Sequence, residues 1–212
     1  MDHDKKLVRF FLPREPKNPD DPVWSVIRKL ADKIGEQLTT ILRAIADENS
    51  LLKGIIDRVD FNATTHGVRD LDDHRLSNLI ERISEKGLGL NDVEADIIGR
   101  SYEYLIRKFA EGSVSSAGEF YTPKEVGMVM ARILDPEPGK TVLDLGCGSA
   151  GLLIKCQLVL EEKMSLRSPK SYAPLQLYGQ EYTPETWAMA NINMIIHDMQ
   201  GQIEIGDSFK NP

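Results

Sequence analysis

The sequence predicts an α/β fold, with a helical amino-terminal half and a mainly parallel sheet after it. Three observations predict it. Up to about residue 110, apolar residues recur at spacings of three and four, the period of a helix face. Beyond residue 121, short strand-like runs alternate with helix-like runs, which implies right-handed crossovers and parallel strands. Between one such strand and the next helix lies Gly146-Cys-Gly148-Ser-Ala-Gly151, a G-x-G-x-x-G turn in the context that such a motif needs.

Residues 1–22 carry four prolines and mixed charge and read as an irregular arm. A helix is expected from Val23, with Trp24, Ile27, Leu30, Ile34, Leu38, Ile41 and Ile45 on one face and Gly35 weakening it locally. A shorter apolar stretch spans Leu51 to Val59, and Asn62–Asp72 reads as a loop. A second helix fits Asp73–Lys86, with Leu76, Leu79, Ile80 and Ile83 inward and Gly87 as its stop. A third starts at Asn91, where Asn91-Asp-Val-Glu94 has capping-box spacing, and its apolar face is Val93, Ile97, Leu105, Ile106 and Phe109. These elements make a helical domain over 23–110. Residues 111–118, rich in glycine, serine and alanine, form a linker, and a second domain runs over 119–212.

That domain opens with a helix for which Thr122 is the cap, Pro123 the first helical residue and Glu125 the reciprocal partner. Strands are expected at Thr141–Leu145, Gln176–Gln180 and Gln202–Ile205. Helices lie between them, from about Ser149 to Glu161 and from Thr183-Pro184 onward, and Lys163–Pro174 is a loop insertion.

Composition narrows the function. With 212 residues, 41% hydrophobic and 28% charged, the chain suits one large globular domain or two small ones, at roughly 100–200 residues each. No apolar run reaches the roughly 18 residues of a membrane span, and the start has no secretory cleavage pattern, so a cytoplasmic protein without a membrane partner is expected. Two cysteines, Cys147 and Cys156, make neither a disulfide framework nor a four-thiolate metal site, and the four histidines are scattered. No metal is expected. The net charge is −7 and no third of the chain is net basic. Duplex affinity comes from Lys and Arg neutralising phosphates, so this chain alone should grip DNA poorly.

Four features carry chemistry. The glycine turn allows close backbone approach to a ligand. Asp144, two residues before Gly146, would repel a pyrophosphate but suits a ligand with a positive group, such as the amine and sulfonium of S-adenosyl-L-methionine. A ligand-free tight turn is the plain alternative. At the next strand end, Glu181 of Tyr178-Gly-Gln-Glu181 has two acceptor oxygens for a ribose; it lies 37 residues after Asp144, the excess being the loop insertion. At the third strand end, Asp207 could accept from an adenine amine with Phe209 near the ring, and an ordinary Gly-Asp turn is an equal reading. Finally, Gly118-Glu119-Phe120-Tyr121-Thr122-Pro123-Lys124 places two aromatics before a helix whose open N-terminus could receive a carboxylate.

In this order the features resemble the modification (methyltransferase) subunits of type I restriction–modification systems, adenine-N6 DNA methyltransferases. The resemblance rests on Ile98-Gly-Arg-Ser-Tyr-Glu-Tyr-Leu-Ile-Arg-Lys-Phe-Ala110, Gly118 to Pro123, Asp144 to Gly151 and Tyr178 to Glu181, and covers the chain from about Leu51. It implies a helical domain followed by a Rossmann-like methyltransferase domain, present here as its N-terminal part. It implies S-adenosyl-L-methionine as cofactor, held by Glu119, Phe120, Tyr121, Thr122, Pro123, Lys124, Ser149, Ala150, Gly151 and Glu181. Asp144, Gly146, Gly148 and Asp207 follow from the wider methyltransferase pattern. As partners it implies a DNA-specificity subunit that reads DNA and a second modification subunit, with a restriction subunit as a further candidate.

Two departures from the family pattern stand out. The family's turn usually reads Asp-Pro-Ala-Cys-Gly-Ser-Gly-Gly, whereas here Leu145-Gly146 replaces Pro-Ala and Ala150 replaces a glycine. Ala150 is tolerable only if that position does not need φ > 0. The family's Asn-Pro-Pro-aromatic motif, which holds the target amine, does not occur in these residues, so the 212-residue chain is expected to be a fragment that transfers no methyl group by itself. Two other readings compete: an S-adenosylmethionine enzyme with a non-DNA substrate, favoured by the Leu-Gly form of the turn, and a non-catalytic assembly module that has lost its cofactor, favoured by Ala150.

Overall fold

A computed structural model describes residues 10–12, 23–88, 95–112, 122–167 and 172–210. The chain divides into two compact units, Met1–Gly89 and Leu90–Pro212. Each has its own core.

In the first unit the helix expected from Val23 is two helices, α1 (Val23–Arg28) and α2 (Ile34–Glu48). Lys33 stands between them in the left-handed region, φ 47°, and breaks the repeat that the apolar spacing suggested. The turn lets Ile27 and Ile34 meet Leu76 and Ile80 in one cluster, flanked by Leu30, Leu38, Ile41 and Phe61. Gly35 is there for close approach: a Cβ on it would lie 2.5 Å from the Phe61 carbonyl oxygen. Buried Thr39 ties the same corner, donating to the Gly35 carbonyl (2.8 Å) and accepting from the Phe61 amide (3.0 Å). Asn49 closes α2 and pairs with both backbone groups of Phe11, each at 2.7 Å.

The stretch expected as a loop contains a small antiparallel hairpin, β1 (Thr64–Thr65) and β2 (Val68–Arg69), turning through His66 and Gly67 with φ > 0. Asp72 then caps α3 (Asp73–Ser84), accepting from the Arg75 amide at 2.8 Å.

The second unit begins with α4 (Ala95–Gly112) and α5 (Lys124–Leu134). Its sheet has the order β3-β4-β5, all parallel: β3 (Thr141–Asp144), β4 (Gln176–Glu181) and β5 (Gly201–Ile205). The crossovers are α6 (Gly151–Arg167) and α7 (Pro184–Ile196). The strand–helix alternation therefore gives the parallel sheet expected from it. Helix α6 runs further than expected, through Arg167 into the segment read as a loop, where Met164 packs against the same core that buries Leu153, Ile154, Val159 and Leu160. An apolar face of that breadth belongs to an inner helix.

Buried polar side chains stitch the layers. Trp187 of α7 donates from Nε1 to the Ile203 carbonyl of β5 (2.7 Å), and Gln157 of α6 accepts from the Leu175 amide (2.9 Å). Gly179 in the central strand leaves room for its neighbours: a Cβ would meet Cys147 Sγ and Ile203 Cδ1, each at 2.8 Å.

Helix α4 belongs to this second unit, although its position in the sequence groups it with the helices before it. Its inward face is Gly99, Tyr102, Glu103, Ile106 and Ala110. Gly99 backs onto the His197 imidazole, and the Tyr102 hydroxyl donates to the Met189 carbonyl at 3.3 Å. Of the apolar face expected, Ile106 is buried while Ile97, Leu105 and Phe109 are exposed. Small and polar side chains let α4 approach α7 closely, and the larger apolar ones turn outward. Helix α4 runs through Gly112, two residues into the linker expected at 111–118; the rest of that linker, the expected capping box at Asn91 and Asn211-Pro212 lie outside the described residues. Among the described residues no helix is long and apolar enough to cross a membrane.

Candidate functional site

Strand β3 ends at Asp144, and the chain must reverse within six residues to start α6. The turn does this with Gly148 (φ 54°) and Ala150 (φ 62°) in the left-handed region. The Ala150 amide donates to the Cys147 carbonyl at 2.8 Å, and the Ile154 amide to the Ala150 carbonyl at 3.0 Å, which starts the helix. So position 150 does adopt the positive φ that its methyl group was expected to forbid. The left-handed region costs an L-residue about 1–2 kcal/mol, and alanine is the smallest side chain that bears the cost.

Four neighbouring groups hold the turn. Asp144 Oδ1 accepts from the Gly146 amide at 3.1 Å. The Cys147 amide donates to the Gln180 carbonyl at 3.0 Å. Glu181 uses both oxygens, Oε2 accepting from the Gly148 amide (3.0 Å) and Oε1 from the Thr183 amide (2.9 Å). From below, Asn193 Nδ2 donates to the Ser149 carbonyl at 2.8 Å. Burial pushes the Cys147 thiol up to about 12, and the carboxylates of Asp144 and Glu181 add to that rise.

The turn opens on a cleft of about 280 Å³. Its floor is the turn itself, with Asp144, Gly146, Gly148, Ser149 and Gly151. One wall is α4, with Arg100, Glu103 and Arg107. The other is the start of α5, with Thr122, Lys124 and Glu125, and Lys155 of α6 reaches in between. A Cβ placed on Gly146 would meet no atom within 4 Å, so the backbone there faces open space. Asn193 is fully buried at the cleft, and its Oδ1 has no hydrogen-bond partner. Buried polar atoms are nearly always paired, so this oxygen is an exception within the turn's support. The lining is mixed in charge, with Arg100, Arg107, Lys124 and Lys155 interspersed with Asp144, Glu103 and Glu125.

Of the residues expected to bind a cofactor, the cleft brings together Thr122, Lys124, Asp144, Gly146, Gly148, Ser149 and Gly151. Ala150 is fully buried beneath it. Glu181 is not among the residues lining the cleft; it is half-buried at the end of β4, its carboxylate engaged by the Gly148 and Thr183 amides. Pro123 is the exposed N-cap of α5. The helix starts one residue later than expected, and the Thr122 side chain does not cap it. Asp207 lies at the same end of the sheet, since the Gly206 amide donates to the Glu181 carbonyl at 3.0 Å. Its carboxylate turns to its own loop, accepting from the Phe209 amide (3.0 Å) and pairing with Lys210 (3.4 Å). Phe209 is fully exposed. Glu119, Phe120 and Tyr121 lie outside the described residues.

Sequence reasoning missed Arg100, Glu103, Arg107, Lys155 and Asn193. The first three sit in the Ile98–Ala110 block, which stood out as a motif but whose charges had no assigned task. Lys155 and Asn193 fall inside apolar helices, where a lone polar residue is itself a signal.

The family model described as N-6 DNA Methylase matches residues 93–212. The type I restriction enzyme MjaIX methylase subunit of Methanocaldococcus jannaschii is 29% identical over 94% of this chain and 33% of its own length. The type I restriction enzyme HindI methylase subunit of Haemophilus influenzae is 28% identical over 80% of this chain and 38% of its own. Among solved structures, the type I restriction-modification system methyltransferase subunit from Streptococcus thermophilus superposes with a TM-score of 0.66 at 24% identity, over 83% of this chain and 36% of that one. The chain thus spans about a third of the length of the curated relatives it matches.

Proposed function

The chain belongs to the N-6 DNA methylase family, and from that premise we propose that its second unit is the S-adenosyl-L-methionine-binding part of an adenine-N6 DNA methyltransferase, the modification subunit of a type I restriction–modification complex. One observation carries the cofactor assignment. The turn from Asp144 to Gly151 presents bare backbone to a cleft whose lining mixes cations with carboxylates, Asp144 standing at the turn itself. A zwitterionic ligand that also bears a sulfonium fits that lining, and a dinucleotide pyrophosphate does not.

The residues divide the task. Asp144 offers an acceptor to positive or hydrogen-bond-donating parts of the cofactor. Gly146 and Gly148 let the backbone approach it. Glu181 fixes the turn with one lone pair per oxygen and keeps a second on each, enough for ribose hydroxyls. When bound, the cofactor supplies an electrophilic methyl group, and the chain's contribution is to orient it. The target adenine would be extruded from the duplex and held by an Asn-Pro-Pro-aromatic segment, which these 212 residues do not contain. We therefore expect no methyl transfer to DNA by this chain alone. The net charge of −7 supports a DNA grip supplied through partners: a specificity subunit, a second modification subunit and, in restricting assemblies, a restriction subunit. A DNA substrate places the complex in the cytoplasm.

Calorimetric titration of the chain with S-adenosylmethionine tests the reading. Saturable binding is expected, weakened at least about tenfold in Asp144→Ala and in Asp144→Asn, the second of which keeps an acceptor for the Gly146 amide while removing the charge. A folded chain that does not bind, or that binds equally well in both variants, would refute it.

A further inference from the structure

Lys155 is the least expected residue of the cleft. It sits in the first turns of α6 and is 5% exposed, among Leu153, Ile154 and Cys156. Lysine is almost never buried unless paired, because its charge carries a desolvation cost that a methionine of similar length does not. Its ammonium curls back along the helix to the first turn. There it lies 3.3 Å from the Gly151 carbonyl and 3.4 Å from Glu103 Oε1 of α4. Both contacts are long for a charge-assisted bond, which prefers roughly 2.7–2.9 Å, and an ammonium has three donors.

The surroundings are shaped to keep that ammonium where it is. Gly127 of α5 makes room for the stem, since a Cβ there would come within 2.6 Å of Lys155 Cδ. The charge is placed at the start of α6, where the helix dipole is already positive. A cation at that end is unfavourable by itself and favourable with an anion beside it. Glu103 provides one, from the far wall and at long range. The ammonium therefore faces the cleft beside the glycine turn, weakly paired, with the dipole adding to its pull on an incoming anion.

We infer that Lys155 receives the carboxylate of the methionine part of S-adenosylmethionine, and that Glu103 is the counter-ion it holds until the ligand arrives. This rests on the reading of the cleft as the cofactor site. It moves the carboxylate from the α5 N-terminus, where the sequence suggested it, to the junction of α4, α5 and α6.

The test uses two ligands on the same chain: S-adenosylmethionine and its decarboxylated form, which lacks only the carboxylate. Wild type is expected to prefer the carboxylated ligand by at least about tenfold, the scale on which truncating one partner of a buried charge pair acts. In Lys155→Met that preference disappears, because only the carboxylated ligand loses affinity. Glu103→Gln frees the ammonium and tightens the carboxylated ligand alone. If Lys155→Met does not fold, the Glu103→Gln result decides, and unchanged or weaker binding of S-adenosylmethionine there overturns the inference. So does a wild type without preference, or a Lys155→Met chain that loses both ligands equally. A wild type that binds neither ligand overturns instead the cofactor reading beneath it.

Discussion

Ala150 and Glu181 show how single residues set the turn. Ala150 combines a left-handed backbone with complete burial. Glycine there would relieve the backbone but lose a buried methyl and loosen the unfolded chain, so Ala150→Gly should stay within about 1 kcal/mol of wild type. Ala150→Val adds a β-branched side chain at φ > 0 in a filled site and should cost at least about 2 kcal/mol, read by urea denaturation. Equal stability of the two variants would contradict the geometry. Glu181 was legible from its position at a strand end, but only as a ligand-binding group. Its hold on the Thr183 amide is local, two residues on, but its grip on the Gly148 amide joins residues 33 apart, which no local pattern announces. Glu181→Ala leaves the buried Gly148 amide without its acceptor, and should lower the ligand-free chain's stability by about 1–3 kcal/mol in the same assay.

At the scale of elements, periodicity located the helices better than it located their faces. In α4 the large apolar residues suggested the buried stripe, yet Gly99, Tyr102 and Glu103 face inward, because close packing against α7 favours small side chains and polar ones that can reach a partner. Sequence spacing reports how often apolar residues recur, not which neighbour awaits them. The strands were easier to place, since each is a short run bounded by turn formers, with β4 burying Leu177 and Gly179 between more exposed neighbours and β5 burying Ile203. Glycines were misread for the same reason as α4. By propensity, Gly35→Ala should help α2 by about 1 kcal/mol. The Phe61 carbonyl stands where the new methyl would go, so the substitution should instead lower the thermal midpoint of the first unit. A rise would mean that the corner is loosely packed.

The whole molecule carries a pH dependence written by burial. Cys147 moves from an ordinary 9.0 to about 12 on folding, and Tyr102 from 10.0 to about 12, both held neutral chiefly by desolvation. A folded value above the unfolded one favours folding fully below the unfolded value, and that contribution fades as pH rises toward the folded one. Stability of the second unit should therefore decline between about pH 9 and about pH 12, and less steeply in Cys147→Ala, where one of the contributing titrations is gone. Following that decline needs a probe confined to one unit, and the chain already has it. Its two tryptophans are Trp24 and Trp187, one in each compact unit. Trp187 donates its indole N–H across the α7–β5 boundary to Ile203, so opening that boundary exposes the ring to water and shifts its emission to longer wavelength. In a Trp24→Phe chain all the tryptophan fluorescence comes from the unit that holds the cleft, and ligand binding and unfolding there become visible without any attached label.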